Sequence, residues 1–124
     1  MTKRVVKVII AGGRKFSNYK LLKEKSDFYL SDAVTKGYKI VIVSGTAKGA
    51  DKLGERYAKE KGYEIAYFPA DWENEGKRAG YLRNEQMAKF ADALIAFHDG
   101  DSRGTKHMID LASKHDLYIR VVNY

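Results

Sequence analysis

The residues able to do chemistry in this chain are cations, hydroxyls and carboxylates set among glycines, and they recur in four short stretches. "AGGRKFSNY" carries Gly12, Gly13, Arg14 and Lys15, and "SGTAKGAD" carries Ser44, Gly45, Thr46, Lys48 and Asp51. "PADWENEGKRAGYLRNEQM" carries Asp71, Trp72, Lys77, Arg78, Arg83, Asn84 and Glu85. "HDGDSRGTKHMID" carries Asp99, Asp101, Ser102, Arg103, Gly104, Thr105 and Lys106. Glycine has no Cβ to block its main-chain N–H, so a ligand can approach the backbone closely. A helix that begins just beyond adds unpaired N–H donors and the positive end of its dipole, and both attract anions. The planar fork of arginine matches phosphate oxygens. The pattern points to a phosphate-bearing ligand held by main-chain amides and cations.

Several of these residues have a second, purely structural use. The hydroxyls of Ser44, Thr46, Ser102 and Thr105 can bond a phosphate or cap the helices that follow. Arg83 falls in a helical run with Leu82, Met87 and Phe90, where it can reach a ligand or pair with Glu85 or Glu75. Trp72, the one tryptophan, can stack on a base or close over the core. Neither G-x-x-x-x-G-K-[ST] nor G-x-G-x-x-G occurs, so a Walker loop is absent and a dinucleotide cofactor bound in the usual manner is disfavoured. With no cysteine and with His98 and His107 wrongly spaced, no metal site is expected. No cofactor is expected either.

The elements that must position these loops follow from hydropathy. Five β-branched or aromatic runs occur, at 5–10, 39–43, 64–68, 93–97 and 118–122. Runs such as Ile40-Val41-Ile42-Val43 fit strands buried on both faces. Helical spacing fills the intervals: one helix around Leu21 to Val34, one around Ala50 to Ala58, then Tyr81 to Phe90 and Thr105 to Lys114. Gly37 and Gly62 stand where helix C-caps fall. Strictly alternating strands and helices predict an α/β domain over residues 1–124, with a five-stranded parallel sheet covered on both faces. Ligands of such sheets bind outside the carboxyl ends of the strands, where the strand order reverses. All four glycine-bearing stretches follow strands, and they hold eight of the eleven glycines.

The net charge of +7 permits nucleic acid or a phosphorylated small ligand as partner. Mixed clusters such as Glu55, Arg56, Lys59, Glu60 and Lys61 look like solvated helix faces. Met1 to Arg4 lead into a short apolar run without a small-residue cleavage site, and no stretch is long enough to span a bilayer. These exclusions leave a cytoplasmic protein without membrane contact as the expectation.

Taken together, "AGGRKF", "SGTAKGADKLGERYA", "FPADW", "AGYLRNEQM" and "DGDSRGTKHMID" resemble the SLOG superfamily, in particular its small YspA-like branch, over nearly the whole chain. The resemblance implies a Rossmann-like three-layer sandwich. It also implies a nucleotide-derived ligand, with Gly12, Gly13, Ser44, Gly45, Gly104 and Thr105 nearest the phosphates. The superfamily includes the Lonely-guy phosphoribohydrolases, the DNA-binding protein DprA, and domains that sense ADP-ribose derivatives. Its members commonly pair, so a homo-oligomer is implied. The catalytic members carry P-G-G-x-G-T-x-x-E. Here Gly104 and Thr105 are kept, and Met108 stands in place of the glutamate.

That replacement removes the carboxylate that would stabilise charge on a ribose during N-glycosidic cleavage. Binding of a nucleotide-derived small molecule, for sensing or sequestration, is therefore the leading expectation. The ligand contacts expected are Gly12, Gly13, Arg14, Ser44, Gly45, Thr46, Lys48, Asp51, Trp72, Arg83, Asn84, Asp99, Ser102, Gly104 and Thr105. One alternative is a nucleoside monophosphate hydrolase that uses Asp71, Glu85, Asp99 or Asp101 as its acid. A second is DprA-like nucleic-acid binding, ranked lower because the positive charge is dispersed.

Overall fold

A computed structural model describes residues 4–124; the reading made of Met1 to Lys3 lies outside the described residues. The elements follow one another as β1 (Val5–Gly12), α1 (Tyr19–Thr35), β2 (Lys39–Ser44), α2 (Ala50–Lys61) and β3 (Glu64–Tyr67). After these come α3 (Trp72–Glu75), a single 3-10 turn at Gly76–Arg78, α4 (Ala79–Phe90), β4 (Ala93–His98), α5 (Arg103–Lys114) and β5 (Tyr118–Asn123). All strand pairs are parallel, and the order across the sheet is β3-β2-β1-β4-β5. The chain leaves β1 toward β2 on one side and returns to β4 on the other. The order therefore reverses between β1 and β4.

The continuous apolar runs are buried on both faces. Val8, Ile9 and Ile10 are all inaccessible to solvent although successive side chains point to opposite sides. Val8, Ile10, Ile40, Ile42 and Phe97 pack under α1 and α2 with Leu22, Leu30 and Tyr57. Ile9, Val43, Leu94 and Ala96 pack under α4 and α5 with Met87, Met108 and Ala112. Each fully buried aliphatic side chain contributes about 1.5–3 kcal/mol, so this double layer carries most of the driving force. A polar rail joins α1 to α2: Tyr57 donates to Asp27 Oδ1 at 2.7 Å, Tyr19 donates to Glu60, and the Arg56 guanidinium lies 3.8 Å from the Tyr19 ring centroid.

Local signals set the boundaries. Asn18 caps α1 through its side chain, and Gly62 ends α2 at φ +76°. Helices α4 and α5 begin two residues before the expected starts at Tyr81 and Thr105. The stretch after β3, read from sequence as loop, contains α3 because the Asp71 carboxylate accepts from Asn74 N–H and caps a turn there. Among the described residues no helix is long and apolar enough to cross a membrane.

At the reversal point β1 ends on Gly12, paired with Phe97 of β4. A Cβ on Gly12 would lie 2.5 Å from the Phe97 carbonyl oxygen and 2.8 Å from Ala50 Cβ. Gly104, by contrast, faces open space within a helix. Gly12→Ala should lower unfolding stability in urea by about 1–3 kcal/mol through overpacking. Gly104→Ala should raise it by roughly 0.5–1 kcal/mol. Equal effects from the two substitutions would contradict the packing described.

Candidate functional site

The loops after β1 and β2 meet backbone to backbone above the reversal point. Gly13 N–H donates to Phe97 O and Ala50 N–H donates to Gly13 O, both at 3.3 Å. Gly49, at φ +79°, sits against the main chain of Gly13 and Arg14, where no side chain would fit. Over this seam opens a cavity of about 330 Å³, at the small end of ligand sites. Gly12, Gly13, Arg14, Asp51, Arg83 and Asn84 line it from one side, and Asp99, Ser102, Gly104 and Thr105 from the other. Of the expected contacts, these ten are brought together around one hollow.

A second hollow of about 790 Å³ adjoins the first, and Arg14, Ala47 and Arg83 line both. Gly45, Thr46, Lys48 and Trp72 belong to this second space. Trp72 is 52% exposed, so it lies open at the surface and does not close over the core. Its indole reaches the Gly80 backbone on α4.

The β2–α2 loop corrects the sequence reading. Its amides were expected to face a ligand, yet Thr46 N–H donates to Ser44 Oγ and Ala47 N–H donates to Asp51 Oδ2, each at 3.1 Å. The Ser44 hydroxyl in turn donates to Glu55 Oε2 at 2.6 Å and is fully buried, so it serves the loop and lines neither hollow. Thr46 is held at φ +65°, a conformation that costs a non-glycine residue roughly 1–2 kcal/mol. Two carboxylates of α2 thus hold the loop from within: Asp51, in the first turn, takes the Ala47 amide, and Glu55, one turn on, takes the Ser44 hydroxyl. Both are only 6% exposed. Glu55 was read as part of a solvated face; it lies one turn beyond Asp51, and that i, i+4 spacing was the available signal.

Burial pushes the Asp51 carboxyl up from 3.8 to about 6, against the Ala47 amide and the Arg83 charge, which favour ionisation; Glu55 adds to the rise and Lys52 opposes it. Arg83 comes from α4 and donates through Nη1 to Gly45 O and through Nε to Asn84 Oδ1 at 3.0 Å. It pairs with neither Glu85 nor Glu75, which bind Lys89 and Arg78. Burial and the neighbouring Arg14 lower the Arg83 pKa while Asp51 supports its charge. Asn84 is buried, with its amide nitrogen 3.4 Å from Gly104 O and 3.2 Å from His107 Nδ1, and it thereby ties α4 to α5.

On the far wall Asp99 Oδ1 accepts from the amides of Asp101 and Ser102 at 2.8 and 2.9 Å, which holds its pKa below the usual carboxylate range. Ser102 caps α5 and its hydroxyl lies 2.8 Å from Thr105 Oγ1, so capping is realised for both while they still line the cavity. The other acid candidates lie outside the two hollows: Asp71 caps α3, Glu85 pairs with Lys89, and Asp101 is exposed. Met108 lines the cavity floor where the catalytic motif has its glutamate, and Asp110 is turned away toward Lys106. Lys15, read from sequence as a cation of this edge, is in the lining, and Ala11, Ala47 and Met87 join it unforeseen. Tyr124 stands close by without lining the cavity: its hydroxyl would lie 2.9 Å from a Cβ on Gly13, and burial, together with Asp99, raises its pKa. Among the described residues no cluster of three metal-ligating side chains occurs.

A three-layer sheet with its glycine loops gathered at the reversal point is the arrangement of a SLOG-type Rossmann-like domain. The model of the YspA, cpYpsA-related SLOG family matches residues 6–74, and the chain belongs to that family. It is 40% identical over 93 residues to the Gene 61 protein of Mycobacterium phage D29, covering 70% of this chain and 73% of that one. Its fold is similar to DNA processing protein A from Helicobacter pylori, whose structure is described in terms of a unique single-stranded DNA binding mode. The TM-score is 0.64 at 22% identity, over 94% of this chain and 64% of that one. The chain thus spans less than two thirds of that protein.

Asp51 makes the site measurable through stability. Its folded pKa lies above the unfolded value, so the contribution is fully present below about pH 4 and is lost as pH rises through about 6. The displacement corresponds to roughly 3 kcal/mol. Asp51→Asn should therefore gain on the wild type by about 2–3 kcal/mol between pH 4 and pH 7 in urea denaturation. A difference independent of pH would contradict the buried, desolvated carboxylate.

Proposed function

We propose that the carboxyl rim of the sheet binds nucleotide units through their phosphates and does not cleave them. The observation that carries this is the sharing of Arg14 and Arg83 between two adjoining hollows. Phosphates at that shared border would meet two guanidinium groups, with Lys15 and Lys48 one on each side. Together the hollows offer more room than one nucleotide needs. Trp72 presents a flat aromatic face in the larger one, suited to base stacking. A short single strand of nucleic acid fits this layout best, and the fold shared with a protein described as binding single-stranded DNA supports the same reading.

A second reading, a free nucleotide-derived ligand, is favoured by the smaller cavity alone, whose 330 Å³ suit one nucleotide unit. The reading without cleavage rests on Met108, which brings an apolar thioether to the place where hydrolases put a carboxylate. Asp99, held ionised by two amides, has no proton to give a leaving base.

Fluorescence anisotropy with labelled five-nucleotide strands, set beside calorimetry with mononucleotides, separates the two ligands. Strands should bind more tightly, with affinity falling steeply as salt rises. Arg14→Ala should weaken strand binding by about 1.5–3 kcal/mol, the value of a charge-assisted contact, and flatten the salt dependence by about one phosphate. Tighter binding of mononucleotides would favour the free ligand. Release of free base on incubation with nucleoside monophosphates would overturn the reading without cleavage.

A further inference from the structure

We propose that Asp51 and Asp99 recognise the sugar of the bound nucleotide through its hydroxyl groups, so that the site selects ribose over deoxyribose. The inference rests on the placement of the phosphates given above and adds what the inner cavity takes. That cavity is electrically divided. Arg14, Lys15 and Arg83 supply the positive groups of its lining, while Asp51 and Asp99 bring carboxylates to the same 330 Å³ space on either side of the Gly12–Gly13 seam. A phosphate is repelled by carboxylates and drawn to the guanidinium groups, so it stays at the border with the second hollow.

Each carboxylate has one oxygen already used and one to spare. Asp51 Oδ2 accepts from Ala47 N–H; Oδ1 has no hydrogen-bond partner among the described residues and is not shut off from solvent, although the residue is only 6% exposed. Asp99 Oδ1 takes two loop amides, and Oδ2 lies on the side of Gly13, 4.0 Å from where a Cβ would stand. An ionised carboxylate only accepts hydrogen bonds, whether it belongs to a buried residue, as at Asp51, or to an exposed one, as at Asp99. The complementary ligand group is therefore a neutral donor. In a nucleotide the part directly attached to the phosphate is the sugar, whose hydroxyls are such donors. The base is directed to the open Trp72 face in the neighbouring hollow.

The groups facing Asp51 also fix how the preference responds to pH. Arg83 approaches from α4, Lys52 and Glu55 lie on α2 itself, and Ala47 N–H comes from the loop. Protonation converts the free oxygen from an acceptor into a competing donor, so the preference for ribose should shrink below pH 6.

The test uses five-residue adenosine strands in ribo, deoxyribo and 2′-O-methyl forms, titrated by anisotropy against the full chain. The base is identical in all three, so the comparison isolates the sugar. The ribo strand should bind roughly tenfold to a hundredfold more tightly than either of the others, as one hydrogen bond from the 2′-hydroxyl to a charged acceptor provides. In at least one of Asp51→Asn and Asp99→Asn the ratio of ribo to deoxyribo affinity should fall, each variant first confirmed as folded by circular dichroism. Equal affinities for ribo and deoxyribo strands in the wild type overturn the sugar assignment and leave phosphate binding at the rim intact. So does a ratio unchanged in both variants. If no strand and no mononucleotide binds, the proposed function fails and the sugar assignment fails with it.

Discussion

The site depends on one constraint: three stretches of main chain approach one another at the reversal point with no side chain between them. Gly12 lies against the Phe97 carbonyl, and Gly49 lies against Gly13 and Arg14. Hydrogen bonds from Gly13 to Phe97 and from Ala50 to Gly13 close the seam. Because interiors are packed as densely as organic crystals, such a seam cannot open slightly to admit a methyl group. The first two loops therefore behave as one body fixed to β4, and the cavity above them takes its shape from that body.

Upon this seam the charges are arranged in opposition. Asp51 takes the Ala47 amide and Glu55 the Ser44 hydroxyl, so side chains of α2 hold the β2–α2 loop from within. Arg83 divides its donors between Gly45 and Asn84, and through Asn84 it connects the loop to α5. It is as much a strut as a ligand contact. Arg14, exposed and unengaged by any salt bridge among the described residues, is freer to meet an incoming phosphate. Burial of an ionisable carboxylate beside a strained Thr46 is unfavourable for the fold. Binding sites commonly hold such departures from local optimum.

Much of this was legible in the residues. Strands buried on both faces announce themselves as unbroken apolar runs, and Val8 to Ile10 and Ile40 to Val43 left little choice. Glycines gathered after strands marked the rim over which the cavity opens. What escaped was decided by partners distant in sequence. Whether the Thr46 and Ala47 amides turn outward to a ligand or inward to Asp51 depends on how α2 docks, and local composition does not fix that. Glu55 sits in a run of charges that resembles a solvated face, and only its docking against Ser44 reveals otherwise. Asn84 was foreseen as a ligand contact; its anchoring of α5 needed the geometry of two helices. Tyr124, at the chain end, carried no signal at all.

Because every connection between strands is a crossover, the cavity collects residues from Ala11 to Met108. The family match at residues 6–74 spans the first two loops and stops short of Arg83, Asp99 and Thr105. No contiguous half of the polypeptide holds the whole lining of the inner cavity. The inner cavity is therefore complete only where β4 and α5 stand beside β1, whereas all of the second hollow's lining except Arg83 precedes α4.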